Sequence, residues 1–269
     1  MNKENKDRFY YNKEFLGSPD ARAVRLLSEY YGPLQRFKRN KIKDTIVFFG
    51  SARLKSEEDA KAALAGAPED LSPQKRADLE TTLEMSRYYE AARELSFKMT
   101  HWSKQLKNHQ KRFIITSGGG PGIMEAANRG ATEAKGMAVG LSISLPHEQA
   151  GNEWISDDLE FNFHYFFMRK FWFLYLAKAM VVWPGGFGTL DEVMEVLTLI
   201  QTKKLRKQIP IVLFDSHFWN NVVNWEFLAE KGVISRSDLD LFQICDTVDD
   251  AYSYLTQKIT ATHLRGPNF

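Results

Sequence analysis

One cysteine, Cys245, stands in a chain of 269 residues. That scarcity excludes an intrachain disulfide and any cysteine-rich metal site, and it fits a reducing cytoplasm. Charge of one sign is lacking as well. The 36 basic residues face 34 acidic ones, a formal net charge of +2, so no strong field calls for nucleic acid or an anionic membrane. No grouping of His, Cys, Asp and Glu has metal-ligand spacing, and neither a metal nor a cofactor is expected. The N-terminal MNKENKDRFYYNKEF has charges with no apolar run behind them and does not read as a secretory signal. Long uncharged apolar runs are also missing. FNFHYFFMRKFWFLYLAKAM (161–180) has the length of a bilayer span, yet Arg169 and Lys170 fall near its centre, where charge is expensive. It reads as a buried helix. The partner expected from these exclusions is a small molecule met in the cytoplasm, with no nucleic acid and no membrane.

What the chain does have is apolar material, 43% of its residues with 13% aromatic, enough for a large core. Ser18 reads as a helix N-cap with Pro19 at the first helical position. It opens a helix over residues 18–39, within a helical extension at 1–44, that is expected to break at Gly32-Pro33. TIVFFGSAR (45–53) is a continuous apolar run of the kind buried on both faces of a parallel sheet. Residues 54–80, charged and interrupted by Pro68 and Pro73, read as a surface insertion. Thereafter helical and strand patterns alternate. The helices are 87–106, 123–134, the aromatic segment 161–178, the segment from Asp191, 217–230 and 249–259. The strands are 111–120, 138–146, 179–186, 209–215 and 242–247. This alternation predicts one α/β domain over residues 45–269, a Rossmann-like, doubly wound parallel sheet with ligands beyond the carboxyl ends of its strands.

Three of those strands run into glycine-bearing loops: GSAR (50–53), SGGGPG (117–122) and PGGFGT (184–189). Each alone suits a tight turn; together on one sheet edge they converge. A strand, a glycine loop and a helix start make an anion cradle, because backbone N–H groups and the positive helix end point the same way. Neither of the common fingerprints is present. Gly188 is followed by Thr189 and Leu190 without the lysine of a P-loop, and Ile123 stands where a dinucleotide loop would want Gly or Ala. The cradle would therefore work through Gly185, Gly186, Gly188, Gly119, Gly120 and Ser51, with the Thr189 hydroxyl. Beyond it, a helix starting near Thr189 puts Glu192 and Glu195 on one face, with Asp191 about 100° away.

PGGFGTLDE resembles the PGGxGTxxE signature of the Lonely Guy family, the cytokinin riboside 5'-monophosphate phosphoribohydrolases, often labelled lysine decarboxylase-like. The match runs from Pro184 through Gly185, Gly186, Gly188 and Thr189 to Glu192. GSAR is similar to the family's first loop, SGGGPGIM to its GGGxxGLM loop, and Met168-Arg169-Lys170 to the arginine-lysine pair ahead of the signature. Glu125 stands where short plant-type members have glycine, HYFFMRK replaces Met-His-Glu-Arg-Lys, and residues 1–44 and 54–80 are additions. Those departures resemble a larger bacterial-type member.

The resemblance implies hydrolysis of the N-glycosidic bond of a nucleoside 5'-monophosphate, in a nucleotide-binding domain without a cofactor. Adenosine 5'-monophosphate is the expected substrate, with cytokinin riboside monophosphates the narrower alternative. It implies Glu192 as the carboxylate at the anomeric carbon and Arg169 as a contact to base or phosphate, with Glu195 and Lys170 in support. The plainer reading of Glu192 is helix-dipole electrostatics, and of Arg169 an ion-paired residue on an aromatic helix. Arg53 reads as a contact to phosphate or base, Glu125 as a contact to ribose or base or as structural, and Trp183 as a pocket wall. His164 reads as packing. A non-catalytic nucleotide carrier of the same fold is the rival from another class, and a decarboxylase would need a Schiff-base lysine loop that the sequence does not offer. Family members form dimers, and the aromatic helix, apolar nearly all round, is the expected homodimer face.

Overall fold

The structure, a computed structural model, describes residues 8–106, 111–144 and 151–264. Two helices, α1 (Lys13–Gly17) and α2 (Arg22–Arg39), precede the sheet. They are followed by β1 (Thr45–Phe49), α3 (Glu57–Ala65), α4 (Pro73–Gln105), β2 (Ile114–Ser117), α5 (Ile123–Glu133), β3 (Ala138–Ile143) and β4 (Glu160–Phe163). The chain continues through α6 (Phe166–Tyr175), β5 (Ala177–Val182), α7 (Phe187–Gln201), β6 (Ile211–Phe214), α8 (Ser216–Val222), α9 (Trp225–Glu230), β7 (Gln243–Cys245) and α10 (Val248–Ile259).

All seven strands pair in parallel, in the order β4-β3-β2-β1-β5-β6-β7. Every residue of β1 is buried, as its uninterrupted apolar sequence requires of a central parallel strand. Its side chains divide by parity. Ile46 and Phe48 join a core with Tyr89, Leu95 and Met99 of α4, Ile123 of α5 and Leu255 of α10. Val47 and Phe49 join the opposite core, with Phe37 of α2, Trp172 and Phe173 of α6, Val193 of α7 and Trp219 of α8. The chain winds from β1 outward to β4, then returns to the other side of β1 with β5. A crevice must open at that reversal, between the carboxyl ends of β1 and β5.

The architecture is the doubly wound α/β sheet expected, while several elements differ. The aromatic stretch 161–178 is not one helix: β4 takes Phe161 to Phe163, α6 spans ten residues, and Ala177 already belongs to β5. Phe161 and Phe163 are buried and Asn162 is exposed, the period of a strand. The segment 217–230 is two helices rather than one. Residues 57–65 and 73–80, within the stretch read as an insertion, are helical, with α4 starting at Pro73 behind a Ser72 cap.

Helix α2 does not break at Gly32-Pro33; Pro33 lies inside it, buried. A proline in a helix interior leaves the carbonyl four residues back without its amide donor. Here that carbonyl is Glu29's, and the indole Nε1 of Trp172 donates to it at 2.9 Å. The partner lost to Pro33 is thus replaced from α6.

Candidate active site

The crevice is built from the ends of β1 and β5 and held together by backbone bonds. Ser51 N donates to the carbonyl of Pro184 (3.0 Å), and Ile123 N, opening α5, donates to the carbonyl of Ser51 (3.1 Å). The GSAR loop therefore ties both other glycine loops to itself. At the contact with α5 only glycine serves. Gly122 has φ +68, and a Cβ there would sit 2.4 Å from the Ser51 carbonyl oxygen. At Gly185 space alone is the constraint, since a Cβ there would meet the Thr189 hydroxyl oxygen at 2.2 Å.

A cavity of about 640 Å³ fills the crevice, within the range of small-ligand sites. Its wall includes Ser51, Arg53, Arg169, Gly186, Gly188, Thr189 and Glu192, with apolar surface from Phe49, Met124, Phe173, Phe187 and Leu190. α7 starts at Phe187, with Gly186 as a cap that has no side chain to offer. The first amides of α7 therefore face the cavity unpaired within the helix, an anion-binding end. Gly186 and Gly188 differ from Gly122: neither has a positive φ, and a Cβ on either would meet nothing within 4 Å. The protein itself does not demand glycine at those two positions.

The early start of α7 moves Asp191 and Glu192 out of its first turn, where none of the acids lies. Helix-dipole electrostatics, which fade beyond the first turn, therefore do not account for Glu192. Its side chain is only 8% exposed. Burial pushes the carboxyl up to about 7, against the opposing pull of Lys170 and Arg169. Arg169 Nη2 lies 3.9 Å and Lys170 Nζ 3.7 Å from Glu192 Oε1. Lys170 is held more closely by the flanking acids, at 2.8 Å from Asp191 and 2.6 Å from Glu195. Burial works against its charge, yet these partners raise its pKa. Asp191, 60% exposed, is thus the outer partner of Lys170.

Arg169 sits between the rings of Phe166 and Phe173, 5.0 and 5.6 Å from their centroids. Burial lowers its pKa, opposed by Glu192 and Asp191. Among the described residues its buried Nε has no hydrogen-bond partner. A buried guanidinium nitrogen without a protein partner, in the wall of the cavity, is free to donate to a molecule held there.

The structure thus gathers Ser51, Arg53, Arg169, Gly186, Gly188, Thr189 and Glu192 around one space, with Lys170 and Glu195 supporting. Other candidates lie elsewhere. Met124 covers the SGGG loop, its sulfur 2.7 Å from where a Cβ of Gly118 would be and its methyl 2.9 Å from that of Gly120. Gly119 and Gly120 instead turn their carbonyls to the side-chain amide of Asn152, at 3.0 and 2.9 Å. Glu125 accepts from the Tyr89 hydroxyl (2.7 Å), toward α4. Trp183 does not line the cavity. It is fully buried between Phe48 and Phe214, because it follows Val181 onto the face of β5 opposite Met180 and Val182. His164 is exposed, its ring against Tyr165.

The sequence reading missed the apolar wall. Phe173, four residues beyond Arg169 and so on its side of α6, and Phe49, last in β1, carried positional signals for it. Asn152, in an irregular segment, carried none.

Fold and site together define a doubly wound α/β protein with glycine loops, a helix start and a buried carboxylate around a cavity at its switch point. Residues 124–255, just under half of the chain, match the family model described as "Possible lysine decarboxylase". Two Oryza sativa subsp. japonica proteins, each named probable cytokinin riboside 5'-monophosphate phosphoribohydrolase, are 23% identical to it. One match runs over 54% of this chain and 62% of the relative, the other over 56% and 61%. A Mycobacterium marinum cytokinin riboside 5'-monophosphate phosphoribohydrolase is 34% identical over 28% of this chain and 40% of its own length. The chain therefore spans less than two thirds of each of these relatives. Among solved structures, the structural-genomics target TM1055 aligns with 80% of this chain and 99% of its own at 21% identity, with a TM-score of 0.48. A molybdenum cofactor binding protein from Rippkaea orientalis aligns over 81% and 98% at 18% identity, with a TM-score of 0.46. No helix among the described residues is long and apolar enough to cross a membrane.

Proposed function

We propose that this protein hydrolyses the N-glycosidic bond of nucleoside 5'-monophosphates, adenosine 5'-monophosphate first among them, giving free base and ribose 5-phosphate. The observation that carries the reading is Glu192: a buried carboxylate beside Arg169, at the edge of an anion cradle. The names of the rice and mycobacterial relatives support the same class of reaction.

In this reading the 5'-phosphate rests on the first amides of α7 and the Thr189 hydroxyl. That seat places the anomeric carbon against Glu192. As the C–N bond breaks, the sugar acquires oxocarbenium character, which the ionised carboxylate stabilises while taking a proton from the attacking water. The water oxygen bonds to the anomeric carbon, the base leaves with the bonding electron pair and takes a proton from solvent, and Glu192 gives the water's proton back to solvent. Arg169 supplies its donor to base or phosphate, and Arg53 borders the same space. Because the ionised form of Glu192 acts, the rate should rise with pH through about 7. A Schiff-base lysine needs a free amine, whereas the amine of Lys170 is held as an ammonium by three acids. Chromatography of bases released from a panel of nucleoside monophosphates tests the proposal; no release from any would leave a carrier.

The glycines give a sharper test. Gly188 lies within α7 with room around it, so Gly188→Ala should stabilise the fold by up to about 1 kcal/mol, alanine being the better helix former. The added methyl should nonetheless weaken nucleotide binding at least tenfold, since the space it enters belongs to the phosphate. Calorimetry and thermal melting read both. Unchanged binding would remove the cradle.

We also propose a homodimer through the aromatic face. Phe166, Phe167, Phe171 and Tyr175 of α6 are exposed, beside Leu27 and Tyr31 of α2. Light scattering at micromolar concentration should give twice the mass of one chain. A single-chain mass would end the idea.

A further inference from the structure

Helix α6 carries Arg169 and Lys170, yet its own sequence does not cap it. Tyr165, at its N-cap, makes no side-chain capping bond. The missing function is supplied from α2. Glu29 accepts from the amide of His164 through Oε1 (2.7 Å) and from the amide of Tyr165 through Oε2 (3.3 Å). The second is the back-bond of a capping box, made between helices rather than within one. Its negative charge also stands at the positive end of α6. The carbonyl of the same residue, freed by Pro33, takes the Trp172 indole. Residue 29 thus grips α6 at Tyr165 and at Trp172, with Arg169 and Lys170 between. Tyr30 adds its ring against Phe171 and Trp172, at 5.7 and 5.9 Å. At the other end of α6, Lys207 donates to the carbonyls of Leu174 and Tyr175.

We infer that Glu29, with Pro33 behind it, is a positioning residue: the N-terminal extension sets the placement of α6 and so the approach of Arg169 and Lys170 to Glu192. The inference rests on the hydrolase reading for its rate measurements alone. Its geometric basis is the pair of grips on α6, 135 to 143 residues away in sequence.

Glu192 is faced by Arg169 and Lys170 from α6, by Asp191 and Glu195 from its own helix, and shares the cavity wall with Arg53 of the β1 loop. Loosening α6 withdraws the two cations that favour its ionised form. Glu29→Ala should therefore lower kcat about tenfold, the scale of a small misplacement in a catalytic constellation. It should also move the rate limb assigned to Glu192 upward by roughly half a pH unit or more. Glu29→Gln, which keeps the shape and one acceptor, should fall between it and the wild type, and serves if the alanine variant does not fold. Arg39→Ala is the comparison: it removes the extension's ion pair with Asp158, a residue ahead of β4 and not part of α6. It should cost stability without moving the limb. An unshifted limb and kcat in both Glu29 variants, or an equal shift in Arg39→Ala, would overturn the inference. Should the wild type cleave no nucleotide, the hydrolase reading fails by itself. The carboxyl titration of Glu192, followed by carbon-13 NMR in wild type and Glu29→Gln, then decides this one: an upward shift supports it and identical titrations reject it.

Discussion

Glu192→Gln is expected to lower kcat by about a thousandfold, a loss of roughly 4 kcal/mol of transition-state stabilisation, while nucleotide affinity stays within about tenfold. The substitution keeps the shape of a side chain that is 8% exposed and removes only its charge. Arg169→Ala, by contrast, should weaken both binding and turnover, because the proposed contact of its donor with the nucleotide is made in the ground state and in the transition state alike. Retention of more than about a tenth of the wild-type rate in Glu192→Gln would show that another group is the principal carboxylate.

The same variant should be more stable than the wild type. Burial raises the Glu192 carboxyl from its ordinary 4.5 to about 7, so the folded chain holds this proton more tightly than the unfolded chain does. Stability from this group is present below about 4.5 and is lost as the pH rises toward 7. Above that the full cost remains, on the order of 3 kcal/mol. Glu192→Gln carries no such cost. Denaturant unfolding of both proteins between pH 5 and 8 should show their stabilities diverging with rising pH, the variant ahead. Parallel curves would mean that the carboxylate is not held against its own preference.

Adenosine should be a far poorer substrate than its monophosphate, by at least ~100-fold in kcat/KM, equivalent to roughly 2.7 kcal/mol. The phosphate does not react in the proposed step. In the proposed binding mode its seat on the amides of α7 and on Thr189 would hold the anomeric carbon against Glu192, so remote binding energy should appear in the rate. A few charge-assisted hydrogen bonds to a dianion can supply that amount. Comparable hydrolysis of the two substrates would reduce PGGFGT to a turn.

Much of this site was legible from sequence because its parts are local. An apolar run ending at Phe49 marks a central strand, the glycines after it mark its carboxyl end, and the spacing from Thr189 to Glu192 sets the face of a helix. What was not legible depends on partners distant in the chain. Phe161, Asn162 and Phe163 alternate as a strand, but aromatic residues on both sides hide the change of period. Pro33 breaks helices by rule, and only the Trp172 indole, 139 positions later, satisfies the carbonyl it orphans. Glu125 sits in a loop motif, and nothing local tells that it turns to Tyr89. Gly119 and Gly120 read as cradle residues for the same reason; Asn152 and Met124, which occupy their surroundings, belong to other segments.

The proposed reaction is cleavage of the glycosidic bond by water at this crevice. Turnover of adenosine 5'-monophosphate in oxygen-18 water, followed by mass spectrometry of the products, tests it most directly. Free adenine and ribose 5-phosphate carrying one heavy oxygen at the anomeric carbon are expected, with none in the phosphate at early times. An intact nucleotide after prolonged incubation, or heavy oxygen in released inorganic phosphate instead, would contradict it.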